Sequence, residues 1–90
     1  MKKVEYHRNA TRYLRKMPVE RREQIKAFIA EIALLDDPLS HRSVSQLGGD
    51  WAGCYRARIG GYRAIFHIID GEIIDILEVL QVGARGDVYK

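Results

Sequence analysis

Residues 54–68 read CYRARIGGYRAIFHI, two alternating runs parted by Gly60-Gly61. A two-residue turn of this kind, with both glycines at positive φ, closes a β-hairpin and sets its register. Ile59 then faces Tyr62, Arg58 faces Arg63, Ala57 faces Ala64, Arg56 faces Ile65 and Tyr55 faces Phe66. Successive side chains point to opposite sides of a strand. One side therefore carries Tyr55, Ala57, Ile59, Tyr62, Ala64, Phe66 and Ile68, which is a core face. The other carries Cys54, Arg56, Arg58, Arg63, Ile65 and His67, an open and basic one.

Arg58 directly opposite Arg63 is a repelling pair, and such pairs cost some tenths of a kcal/mol. Two readings compete. The arginines are either a solvated outer face with an ion pair, or an anion site whose guanidinium forks match phosphate oxygens. Asp70-Gly71 signals a second hairpin, and a two-residue turn there would set Glu78 beside Arg63. The same register sets Asp75 against Phe66 on the core face. That misfit points to a slipped register or a bulge.

Upstream, Lys2–Tyr6 reads as a short strand. Asn9 suits the N-cap of a helix with Ala10, Tyr13, Leu14 and Met17 at i, i+3, i+4 and i+7. Pro18 breaks that helix and opens a second, whose stripe is Ile25, Phe28, Ile29, Ile32 and Leu35 and which stops near Asp36-Asp37-Pro38. Residues 39–53 read as loop, and the third long strand runs from about Glu72 to Val82. The expected fold is one α+β domain over residues 1–90. An N-terminal strand and a helical hairpin pack on one face of an antiparallel sheet, leaving the basic, concave face open.

Ninety residues with 47% apolar content support one modest core, and 30% charged residues argue against disorder. No apolar run is long enough to span a membrane, and MKKVEYH has no apolar stretch behind it to make a secretory signal. The one cysteine has no internal disulfide partner and no Cys/His cluster has zinc spacing, so a cytoplasmic location without metal or cofactor is expected. Charge is uneven: residues 1–26 hold nine Lys/Arg against three Glu, a local +6, whereas residues 27–90 carry a local −3. The basic end is either a solvated helix face or a surface for a polyanion.

The segments NATRYLRKMPVERREQI, WAGCYRARIGGYRAIFHIID and VGARGDVY, in this order and spacing, resemble blocks of RelE-type toxins. These belong to the RelE/ParE superfamily of bacterial and archaeal type II toxin–antitoxin modules, and the likeness runs from about Tyr6 to Tyr89. It implies a RelE-like fold and a small endoribonuclease that cuts mRNA in the ribosomal A site. It also implies a cognate antitoxin that wraps the toxin, with operator DNA reached only through that complex.

Carried over residue by residue, the resemblance sets Arg56 and Arg58 where related toxins often have lysines. Arg63 matches the arginine of the GYR motif, Arg85 the arginine after the VG of the last strand, and Tyr89 the tyrosine of the terminal DVY. The implied chemistry is attack of a ribose 2′-oxygen on its own 3′-phosphate. It needs a base, cations for the charge building on phosphorus, and a proton for the leaving oxygen. Arginine holds its proton too tightly to be the base, so Tyr89, acidified by guanidinium neighbours, takes that role. Arg56 and Arg63 clamp the phosphate and Arg58 or Arg85 stabilises the transition state, with no metal required.

Ala84 stands where many relatives carry His or Lys, which leaves the acid unassigned. His67, on the basic face, reads as structural or as a general acid or base. Cys54 reads as a small strand residue, Trp51 as a loop residue packed on the sheet edge, and Gly83 as a bend. Two rivals share the expected fold: a ParE-type inhibitor of DNA gyrase acting by protein binding, and a non-toxic relative that binds only antitoxin and operator.

Overall fold

The arginine-bearing hairpin forms in the expected register. The computed structural model describes residues 1–84, in which β3 (Tyr55–Ile59) and β4 (Tyr62–Ile69) pair Ile59 with Tyr62, Arg58 with Arg63, Ala57 with Ala64, Arg56 with Ile65 and Tyr55 with Phe66. The turn differs in detail from its expected form. Gly60 has φ +61° while Gly61 is not at positive φ, the pattern of a type II′ rather than a type I′ turn.

Before the hairpin come β1 (Lys3–Tyr6), α1 (Arg8–Arg15), α2 (Val19–Ala33) and β2 (Val44–Gln46); after it comes β5 (Ile76–Ala84). The five strands lie in the order β1-β5-β4-β3-β2, all neighbours antiparallel except β1, which runs parallel to β5. The sheet is thus mixed. Segment 39–53, expected as loop, contributes β2: Val44 is buried and pairs with Ala57, while Ser45 pairs with Arg56. Three residues with one apolar side chain show no period, so this strand owes its existence to the edge of β3.

Helix α1 is capped two residues before Asn9, the expected cap. His7 caps it, its Nδ1 accepting from the Asn9 backbone N–H at 3.1 Å. Helix α2 ends at Ala33 rather than near Asp36, with Leu34 as its cap. The Lys2 Nζ donates to the Leu35 carbonyl beyond that end at 2.5 Å, and Asp37 caps a 3-10 turn over Pro38–Ser40. The core lies between the helices and one sheet face. Ala10, Leu14, Met17, Ile25, Ile29, Ile32 and Ala33 meet Ala57, Ala64, Phe66, Leu77, Val79 and Val82. Phe66, centrally placed and stacked on Tyr55 with ring centroids 5.2 Å apart, has no exposed surface.

The β4–β5 connection departs most from expectation. It is not a two-residue turn: β5 starts at Ile76, and Asp75 shapes the turn by accepting from the Gly71 N–H at 3.2 Å. A side chain at Gly71 would run into the Ile74 carbonyl. The anticipated bulge is present. Ile65 pairs with Gln81 but Phe66 pairs with Val79, so Leu80 is the extra residue. Leu77 and Val79 point to the core before it and Val82 after it. Glu78, consequently, faces His67 and not Arg63, and Asp75 does not face Phe66.

Replacement of Phe66 by alanine is expected to cost about 3–5 kcal/mol, because a central cavity replaces a fully buried ring. Urea unfolding at neutral pH reads this directly. A second expectation concerns Tyr6, whose phenol is pushed up to about 12 by burial first and by the Glu23 charge second. Its native value lies above that of an unfolded tyrosine, about 10, so the fold favours the protonated phenol. That contribution is complete below about pH 10 and is lost as pH rises toward 12. Between pH 10 and 12 wild-type stability should therefore fall further than that of Tyr6→Phe.

Candidate functional site

Alternation along β3 and β4 carries Arg56, Arg58, Arg63, Ile65 and His67 to the face away from the helices. Three rows cross it. Arg58 and Arg63 face each other, with Gly83 next along on β5; Ser45, Arg56, Ile65 and Gln81 form the middle row; His67, Glu78 and Glu5 form the third. Ile65 is fully buried although it lies on this face, so the middle row has an apolar floor.

Arg58 is exposed and forms no ion pair among the described residues; its backbone N–H is held by the Ser43 carbonyl at 2.9 Å. Arg63 is half-buried, and its Nη1 donates to the Tyr62 carbonyl at 3.0 Å and the Gly60 carbonyl at 3.4 Å. These bonds hold the guanidinium against the hairpin turn. Arg56 is half-buried in the middle row. A guanidinium offers five donors in a planar fork, so three on one face suit a phosphate better than a point charge would.

Glu78 is not the counter-charge that the two-residue turn would have made it. Its Oε1 lies 2.7 Å from His67 Nε2, in a pair whose side chains are one-third and one-quarter exposed. The dyad is the feature that sequence reasoning missed. Its signal was present in ILEVLQV, where inward Leu77, Val79 and Val82 are spaced by two and then three. Ala84 pairs with Tyr62 on the helix side, away from the arginine face. Burial pushes the Cys54 thiol up, which disfavours a thiolate nucleophile. Trp51 ends a 3-10 turn over Gly49–Trp51, just ahead of β3. Arg85 and Tyr89 lie outside the described residues.

A second basic surface lies on the helical side. A groove beside α1 is lined by Tyr6, Arg8, Thr11, Arg12, Arg15 and Lys16, four cations without a carboxylate. It accounts for much of the excess positive charge of residues 1–26.

Residues 4–83 match the family model described as the ParE toxin of type II toxin-antitoxin system, parDE. The chain belongs to this family. It is the toxin of a type II toxin–antitoxin module of the RelE/ParE superfamily. No curated protein sequence matches it significantly. Among solved structures, the RelE-RelB complex of Pyrococcus horikoshii aligns over 97% of this chain and 98% of that one, with 23% identity and a TM-score of 0.72. The RelBE2 complex of Mycobacterium tuberculosis aligns over 93% and 98% with 29% identity and a TM-score of 0.61. A YoeB/ParE toxin from Agrobacterium tumefaciens aligns over 92% and 98% with 19% identity and a TM-score of 0.73. No helix among the described residues of this toxin is long and apolar enough to cross a membrane.

The facing arginines lead to a stability test. Arg58→Ala removes a like-charge pair and no described ion pair, so the toxin should keep its melting temperature or gain up to about 5 °C. A loss of several degrees in a thermal melt would mean that Arg58 supports the fold.

Proposed function

We propose that this toxin is a ribosome-dependent mRNA endoribonuclease, restrained by a cognate antitoxin. The observation that carries the reading is the convergence of Arg56, Arg58 and Arg63 on one open sheet face, two of them directly opposite each other at a cost to the fold. Residues kept against their own repulsion are suited to a polyanion. Arg56 and Arg63 hold the scissile phosphate, and Arg58 or Arg85 meets the negative charge that develops as the 2′-oxygen attacks. Tyr89 takes the 2′-hydroxyl proton. The antitoxin is the partner suggested by the toxin–antitoxin complexes among the similar structures, and operator DNA is reached through it.

A second reading is inhibition of DNA gyrase by protein binding. The match to the ParE family model favours it. In that case the arginine face is a docking surface and catalysis plays no part.

The two readings separate on single substitutions. Arg63→Ala and Arg56→Ala should each lower cleavage of ribosome-bound mRNA by roughly 10²–10³-fold with the fold intact, the usual cost of losing one transition-state donor. Tyr89→Phe should slow cleavage without weakening ribosome binding. Cleavage by the wild type and its variants is measured beside gyrase supercoiling. Inhibited supercoiling with intact mRNA would transfer the assignment to the gyrase inhibitor.

A further inference from the structure

The sequence leaves two readings of His67 open, structural or acid–base, and the structure adds its partner Glu78. We propose that His67 is the general acid of the nuclease site and that Glu78 is its positioning residue. This inference rests on the nuclease reading above.

The β5 bulge creates the pair. Without Leu80 as an extra residue, the pairing of Ala64 with Val82 and Ile65 with Gln81 would continue to Ile68 with Glu78, on the core face. The bulge instead turns Val79 inward and Glu78 outward, beside His67. Bulges of this kind re-aim side chains at functional sites. The same shift serves the core, which gains Val79, and the open face, where His67 and Glu78 meet.

Glu78 Oε1 accepts from His67 Nε2–H at 2.7 Å, which fixes the ring orientation and leaves Nδ1 as the working nitrogen. Nδ1 has no hydrogen-bond partner among the described residues. The ring has charged or titratable neighbours on three strands or their flanks. They are Glu78 on β5, Glu5 beyond it on β1 with Lys3 at 3.6 Å, and Arg56 diagonally across on β3 with Cys54 ahead of it. A diagonal pair in an antiparallel ladder is about 7–8 Å apart at the backbone, within reach of one phosphodiester group. Arg63, Ile65 and His67 follow one another on the same face of β4. The clamp and the acid therefore flank the buried Ile65 floor.

In the step itself, the 2′-oxygen bonds to phosphorus as its proton passes to the base. The P–O5′ bond breaks, and imidazolium Nδ1–H protonates the departing 5′-oxygen. The products are a 2′,3′-cyclic phosphate and a 5′-hydroxyl. Neutral His67 keeps Nε2–H on Glu78 and regains its Nδ1 proton from water.

The test compares ordinary mRNA with mRNA carrying sulfur in place of the bridging 5′-oxygen at the codon that the wild type cuts. A thiolate leaves without protonation, because thiols are far stronger acids than alcohols, with a pKa of about 8.5. His67→Gln should cut ordinary mRNA at least roughly 10²-fold more slowly and the sulfur substrate at nearly the wild-type rate. Glu78→Gln should show a smaller loss with the same selectivity, and it decides the matter if His67→Gln melts early. Wild-type rates in both variants, or equal losses on both substrates, would overturn the role of His67. A wild type that leaves ribosome-bound mRNA intact would instead overturn the nuclease reading, and this inference with it.

Discussion

Strand β4 is hydrogen-bonded along both edges, and its alternation is the constraint from which the remaining structure follows. Tyr62, Ala64, Phe66 and Ile68 point to the helices, so Arg63, Ile65 and His67 must point away. A one-residue slip would bury an arginine and a histidine and expose Phe66, at a cost larger than the stability of a small domain. The bulge at Leu80 lets β5 meet this demand. It keeps Leu77, Val79 and Val82 on the core side despite their uneven spacing.

The two sheet faces are built for opposite purposes. Helices α1 and α2 cover one with aliphatic side chains, and the fold draws its stability there. The other keeps guanidinium groups close together, where mutual repulsion subtracts a little from that stability. The buried side chains on the opposing face form one continuous cluster that outweighs this small cost. Stability then resides on one side of the sheet, so substitutions in the arginine rows on the other can be assayed with little interference from folding.

The family match and the structural likenesses bear on different questions. A shared fold supports unrelated activities, and function follows from the site. Family membership makes this chain a type II toxin and does not by itself name its target. Three arginines and a histidine–carboxylate dyad are suited to phosphoryl chemistry; a pure docking surface has no evident use for a positioned imidazole.

Local pattern determined the hairpin, its register, both helices and the face on which the three arginines lie. Gly60-Gly61 and strict period-two alternation leave one register, and Pro18 divides the helices, so no distant contact was needed. Tertiary structure decided the rest. The parallel pairing of β1 with β5 joins segments some seventy residues apart, and β2 has too few apolar residues to announce itself without the edge of β3. The length of the β4–β5 turn depended on Asp75 reaching back to Gly71. The partner of Glu78 depended on where the bulge fell. A one-residue shift in a ladder exchanges the faces of every side chain beyond it, and only packing of Val79 against the helices selects the shift. Arg58 and Arg63 were therefore legible as a pair in the sequence, whereas His67 and Glu78 became one only in the folded sheet.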